Sequence, residues 1–164
     1  MMNLSESYEA ILPCGVNTML PLSKYLDEFN AQIPIPPYRT LIKAVDKEIT
    51  FKIAMENNIP CPKTFFPKNK MELEEIADKI SYPAVVKIRK GSTARGVFYA
   101  NSKEELIRRY IEAHNIQERP IIQEYIKGRG YGAFALYNKS KVRAVFVHKR
   151  IREYPITCLL YTSD

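Results

Sequence analysis

The sequence predicts an α+β fold, a mainly antiparallel sheet with helices packed on one face. Short apolar runs of strand length alternate with segments of helical period that carry their own capping residues. The last third of the chain has the form of a hairpin, two strand-like segments around Asn138-Lys139-Ser140. No internal repeat or low-complexity tract competes with a globular domain.

The elements follow in order. Residues 11–13 are a short apolar run, and Met19, Leu20, Leu22, Leu26 and Phe29 recur at roughly helical spacing, so a strand stub and a helix over 17–30 are expected. Pro34, Pro36 and Pro37 lack donors and bias their predecessors towards extended geometry, which makes 33–37 a linker or domain edge. Asp46 is an N-cap for a helix over 47–57, with Ile49, Ile53, Ala54 and Met55 on its apolar side. Asn57-Asn58 stops that helix, and Pro60 and Pro62 prevent its resumption. A strand at 63–66 precedes a helix capped by Asn69 and running to 80, and Tyr82-Pro83 introduces a strand at 84–88. Beyond a glycine loop come a strand at 97–100 and a helix to 116 opened by a Ser102/Glu105 capping box. A strand at 120–126 and hairpin strands at 131–137 and 142–151 complete the pattern.

Composition narrows the function classes. A chain of 164 residues, 46% hydrophobic and 26% charged, is globular and long enough for one domain and part of a second. Its net charge of +7 and pI of 9.3 favour an anionic partner: nucleic acid, an acidic membrane or a polyphosphate. Cys14, Cys61 and Cys158 are odd in number and scattered, without the spacing of a zinc site or disulfide framework, which fits a reducing cytoplasm. No run approaches the roughly 20 apolar residues that cross a bilayer, so no membrane association is expected.

The sharpest chemistry lies in Tyr82-Pro83-Ala84-Val85-Val86-Lys87-Ile88-Arg89-Lys90-Gly91-Ser92-Thr93-Ala94-Arg95-Gly96-Val97. A lysine inside an apolar strand loses hydration, an unfavourable step unless an anion compensates. The loop behind Lys87 has glycines at 91 and 96, whose N–H groups can approach an anion closely, while Ser92, Thr93 and Arg95 add donors. A bland reading stays open beside it: a turn of solvated basic residues, with Lys87 snorkelling to the sheet edge. The loop is neither a GxxxxGK[ST] nor a GxGxxG motif.

Four segments in order resemble the ATP-grasp superfamily, in particular carbamoyl-phosphate synthase and related carboxylate ligases. They are Asp46-Lys47 with the exit Asn58-Ile59-Pro60-Cys61-Pro62, the Lys87 strand with its glycine loop, Ile121-Ile122-Gln123-Glu124-Tyr125-Ile126-Lys127-Gly128, and Phe146-Val147-His148-Lys149-Arg150-Ile151-Arg152-Glu153-Tyr154-Pro155. The resemblance covers about residues 38–157. It implies two small subdomains with an ATP cleft between them, lobe one over about 38–124 and the start of lobe two over about 125–157. Residues 1–37 would then be the remnant of a preceding α/β domain, and 158–164 resemble a translated sequencing adapter, an artefactual tail.

By the same resemblance, Lys47 and Lys87 reach ATP phosphates from two walls of the cleft, and Gly91, Ser92, Arg95 and Gly96 belong to the loop that closes over them. Gln123, Glu124, Tyr125 and Ile126 form the hinge, where the backbone C=O of Glu124 and N–H of Ile126 pair with adenine. Gln123 stands where many relatives carry an acid. Strand geometry puts Phe146, His148, Arg150 and Arg152 on one face, so Arg150 or Arg152 would hold the γ-phosphate or the substrate carboxylate; the plain alternative is a charged, solvated hairpin edge. The implied reaction is γ-phosphoryl transfer from ATP to a small-molecule carboxylate, giving an acyl phosphate for an amine, with magnesium or manganese bridging phosphate oxygens. The family's metal ligands lie beyond Glu153 and none is assigned here. The expectation is therefore a cytoplasmic ligase fragment that binds ATP weakly without turnover. A non-catalytic nucleotide-binding module is the first alternative; a basic nucleic-acid-binding domain, lacking any RRM, KH or zinc motif, ranks below it.

Overall fold

Small and β-branched residues at 84–88 alternate between two sides of a strand, and that alternation organises the domain. The computed structural model describes residues 6–91 and 96–151. Its helices are α1 (Val16–Lys24), α2 (Tyr38–Ala44), α3 (Lys47–Glu56), α4 (Lys70–Lys79) and α5 (Lys103–Ile116). Its strands are β1 (Thr64–Phe65), β2 (Ala84–Lys87), β3 (Val97–Ala100), β4 (Ile121–Glu124), β5 (Tyr131–Asn138) and β6 (Lys141–Lys149). β1–β4 form one sheet in the order β1-β4-β2-β3, antiparallel throughout, and β5 and β6 form a separate antiparallel ribbon.

One side of the four-stranded sheet is the core. Ala84, Val86 and Ile88 cluster with Ala100 of β3, Ile122 of β4, Leu73, Ala77 and Ile80 from α4 and its end, and Leu106 and Ala113 of α5. Small residues in the strands let the two helices lie close, while Leu106 and Ile122 are fully buried and fill the gap between layers. The other side of β2 carries Val85 and Lys87.

The capping residues expected from sequence do cap. Asp46, Asn69 and Ser102 accept from the N–H groups of Glu48, Glu72 and Glu105 respectively. The capping box of α5 is displaced by one residue: the Glu105 carboxylate accepts from the N–H of Asn101, ahead of the cap, as Glu72 does from Lys68 at α4. The hairpin turns on Lys139 and Ser140, both at positive φ, the two-residue arrangement whose twist matches the strands.

Several elements differ from expectation. The first helix stops at Lys24, where a 3-10 turn, Leu26–Glu28, takes over the apolar spacing that had suggested 17–30. α2 was not anticipated, because seven residues headed by Pro37 offer too few turns for a periodic signal. β4 ends at Glu124 rather than 126. Before α1, Ala10 and Gln32 form a parallel bridge, with the Ile11 N–H donating to the Gln32 carbonyl.

Candidate functional site

Lys87 is the last residue of β2, directed away from the core helices by the alternation that buries Val86. Its Nζ donates to Gln123 Oε1 at 2.7 Å, a diagonal pair across β2 and β4. Gln123 Nε2 donates in turn to Thr64 Oγ1 at 2.8 Å, and that hydroxyl donates to the Pro62 carbonyl at 2.7 Å. Each of these hydrogen bonds ends on a neutral acceptor, and among the described residues no carboxylate pairs with the lysine. Burial first, and the charge of Lys47 second, push the Lys87 ammonium below the usual lysine range.

Lys47 opens α3, the helix end where backbone dipoles disfavour a cation. Its N–H donates to the Arg89 carbonyl at 3.0 Å, and its Nζ donates to the carbonyls of Gly91 at 3.0 Å and Arg89 at 3.4 Å. Burial lowers this ammonium as well, against an opposing pull from Asp46. Two desolvated ammonium groups therefore sense one another beside the start of a glycine loop, an arrangement that a polyanion would relieve.

Both ends of that loop are fixed. At Gly96, φ is +76°, and a Cβ would lie 2.6 Å from Ile88 side-chain carbons, so only glycine fits. Ile88 N–H donates to the Gly96 carbonyl at 2.9 Å. Ser92 and Arg95, expected in the loop, lie outside the described residues, as does Arg152. A cavity of about 500 Å³ adjoins the Gly91 end, between Asn17 and Leu20 of α1 and Lys47.

Sequence reasoning missed the residues that join these parts. Arg89 Nε and Nη2 donate to Asp46 Oδ1 and Oδ2 at 3.1 and 2.6 Å, and Arg89 Nη1 meets Glu48 Oε2 at 3.0 Å. Glu48 also pairs with Arg119 at 3.2 Å and Lys52 at 2.6 Å. The Asp46 and Glu48 side chains are only 3% and 7% exposed, so these are desolvated contacts. Burial by itself would raise both carboxyls; their basic partners outweigh it and leave them below the ordinary carboxylate range. Among the described residues no carboxylate forms an ion pair with Lys47 or Lys87, and only the through-space pull of Asp46 acts on Lys47. The only local signal was an arginine two residues after Lys87, where period two returns it to the same side of the chain.

At the hinge, Glu124 uses its side chain for structure: Oε1 accepts from Lys63 N–H at 2.8 Å while its own N–H donates to the Lys63 carbonyl at 3.0 Å. Tyr125 meets Tyr99 edge to face at 6.1 Å. Ile126 follows outside regular structure, 60% exposed. Gln123 is buried in the Lys87 relay, and its side chain does not line an open edge. Arg150 sits exposed at the foot of the ribbon, its N–H donating to the Gly130 carbonyl at 2.8 Å. His148 lies stacked on Phe134 and Phe146, across Gly132, as a packing residue. Among the described residues no group of three or more His, Cys, Asp or Glu is arranged to hold a metal ion, and no helix is long and apolar enough to cross a membrane.

A family model described as the ATP-grasp domain matches residues 44–161, a span that includes every candidate residue above. The chain belongs to the ATP-grasp family. Among curated relatives, the carbamoyl phosphate synthase large chain of Pyrococcus furiosus is 29% identical over 105 residues, covering 63% of this chain and 10% of that protein. The alpha-aminoadipate–LysW ligase LysX of Sulfurisphaera tokodaii is 37% identical over 92 residues, covering 54% of this chain and 32% of the relative. This ATP-grasp chain thus spans from about a tenth to a third of the length of the curated relatives it matches. The fold agrees with solved structures. An ADP complex of N5-carboxyaminoimidazole ribonucleotide synthetase superposes with a TM-score of 0.71 at 17% identity, over 93% of this chain and 40% of that one. The biotin carboxylase domain of 2-oxoglutarate carboxylase from Hydrogenobacter thermophilus, solved with MgADP, ADP and bicarbonate, gives 0.66 at 22% identity, over 80% of this chain and 31% of that one.

Proposed function

We propose that this chain is the ATP-binding portion of an ATP-dependent ligase that activates a carboxylate as an acyl phosphate for attack by an amine or similar nucleophile. The observation that carries the proposal is the pair of half-buried lysines, Lys47 and Lys87, at the mouth of a glycine loop, neither of them in an ion pair with a carboxylate among the described residues. In a soluble domain such charges are costly unless a ligand neutralises them, and a triphosphate supplies the opposite charge at that spot. The residues therefore fit ATP. The lysines hold α-, β- or γ-phosphate oxygens, the loop from Gly91 to Gly96 donates backbone N–H groups, and the 124–126 backbone pairs with the adenine edge.

The two lobes meet this task separately: the first, about 38–124, brings the lysines and loop, and the second, about 125–157, brings Arg150 and Arg152. A carboxylate oxygen of the substrate attacks the γ-phosphorus as the bond to the β–γ bridging oxygen breaks, and ADP leaves. The amine nitrogen then attacks the acyl carbon, phosphate departs and the nitrogen loses a proton. Arg150 and Arg152 present planar forks suited to the carboxylate or the transferred group. Magnesium, when bound, supplies further neutralisation of phosphate charge; the described residues contain no ligand cluster for it, and no step is assigned through it.

Titration calorimetry with a non-hydrolysable ATP analogue, magnesium present, tests the reading on the chain and on Lys87→Met. Losing a charge-assisted contact of about 1.5–3 kcal/mol weakens binding roughly 10- to 100-fold. Equal affinity in both proteins contradicts the proposal, as does a wild-type chain that ignores the analogue and instead binds oligonucleotides with a steep salt dependence.

A further inference from the structure

We infer that Arg89 is the positioning residue of this site: by forking onto Asp46 and Glu48 it fastens the start of α3 to the loop after β2, so that Lys47 and Lys87 grip one polyphosphate together. The inference rests on the ATP reading and adds residues that do not touch the nucleotide.

The connectivity makes the case. Arg89 stands two residues after Lys87, and Asp46 stands one residue before Lys47, so the Arg89–Asp46 pair is the shortest side-chain link between the segments that bear the two lysines. Around it, Asp46 and Lys90 form a backbone bridge, and Lys47 N–H donates to the Arg89 carbonyl. The side-chain fork uses both Asp46 oxygens and one of Glu48, a planar arrangement that fixes direction as well as distance. Asp46 simultaneously caps α3 through the Glu48 N–H, so the helix start and the loop share one carboxylate.

The same clamp has an electrostatic task. Lys47 lies at the positive end of α3 and near a second, half-buried ammonium, two influences that push it outward into water. What keeps its Nζ in place is contact with the carbonyls of Gly91 and Arg89, and those carbonyls are where they are because Arg89 is anchored. Arg119 and Lys52 hold Glu48 from further along the chain, which leaves Arg89 free to serve both acids. Geometry of this kind acts on phosphate contacts only; the adenine edge at 124–126 is fastened separately, through Lys63.

That separation supplies the test. ADP affinity is measured by calorimetry, and adenosine affinity by NMR titration, for wild type, Arg89→Met, Arg89→Lys and Lys87→Met, with thermal melts of each. Arg89→Met is expected to weaken ADP about tenfold and to leave adenosine within about twofold. Arg89→Lys, whose single ammonium cannot bridge both acids with a planar fork, falls between it and wild type. Unchanged ADP affinity in Arg89→Met overturns the assignment, and so does an equal loss of ADP and adenosine, which marks a merely structural arginine. If Arg89→Met does not fold, Arg89→Lys carries the test, and wild-type ADP affinity in it overturns the assignment. Wild-type ADP affinity in Lys87→Met, by contrast, refutes the ATP reading itself, whatever the arginine variants do.

Discussion

A methyl group at position 96 would meet Ile88 at 2.6 Å on a backbone already at φ +76°. Both penalties fall on one residue: the left-handed conformation costs an alanine about 1 kcal/mol, and forcing a carbon into a packed neighbour costs about 1–3 kcal/mol more. Gly96→Ala is therefore expected to destabilise the domain by about 2–4 kcal/mol, read by urea denaturation; a loss below about 0.5 kcal/mol contradicts this account of the loop. At this scale the sequence was informative in part. Lys87 stood out because a charge in an apolar strand is anomalous by itself, and the glycines at 91 and 96 stood out because their N–H groups can approach an anion closely. Asp46 was legible as a cap, a role set by residues two positions away. Its second role was not, since its Arg89 partner is 43 positions away and no local pattern encodes that distance.

At the scale of elements, helices α3, α4 and α5 were foreseeable because each begins with a side chain that satisfies its own first turn. α2 carries no side-chain cap and is held against α1 and α3 by packing, so its existence belongs to tertiary structure. The start of α3 also has a pH signature. Asp46 and Glu48 titrate below their ordinary values of 3.8 and 4.5, so the folded state keeps them ionised more readily than the unfolded chain does. Their contribution to stability is complete above the ordinary carboxylate range and is lost as pH falls through the lowered values. Glu48→Gln removes one of the two. Its melting temperature should fall less steeply than that of the wild type on acidification below about pH 4.5. An unchanged slope between the two proteins would show that Glu48 does not anchor the helix.

At the scale of the whole molecule, the four-stranded sheet and the ribbon differ in kind. The sheet has a buried face under α4 and α5, whereas β5 and β6 expose Phe134, Leu136, Val145 and Phe146. Antiparallel architecture and its helical layer could be read from the order of elements. The strand order β1-β4-β2-β3 could not, because pairing of β2 with β4 across a helix depends on which faces bury together. The same long-range pairing brings Gln123 to Lys87 and makes the hinge and the cation neighbours. The net charge of +7 pointed to an anion without choosing one; the choice comes from two lysines that fold together without an ion pair among the described residues.

The most direct test of that claim is a backbone-amide NMR titration of the chain with a magnesium-bound ATP analogue. The account predicts that the largest shift changes fall at Lys47, Lys87, Gly91, Gly96 and 123–126, with the outer faces of α4 and α5 unaffected. Shift changes confined to those outer faces, or spread over surface lysines without saturation, would contradict it.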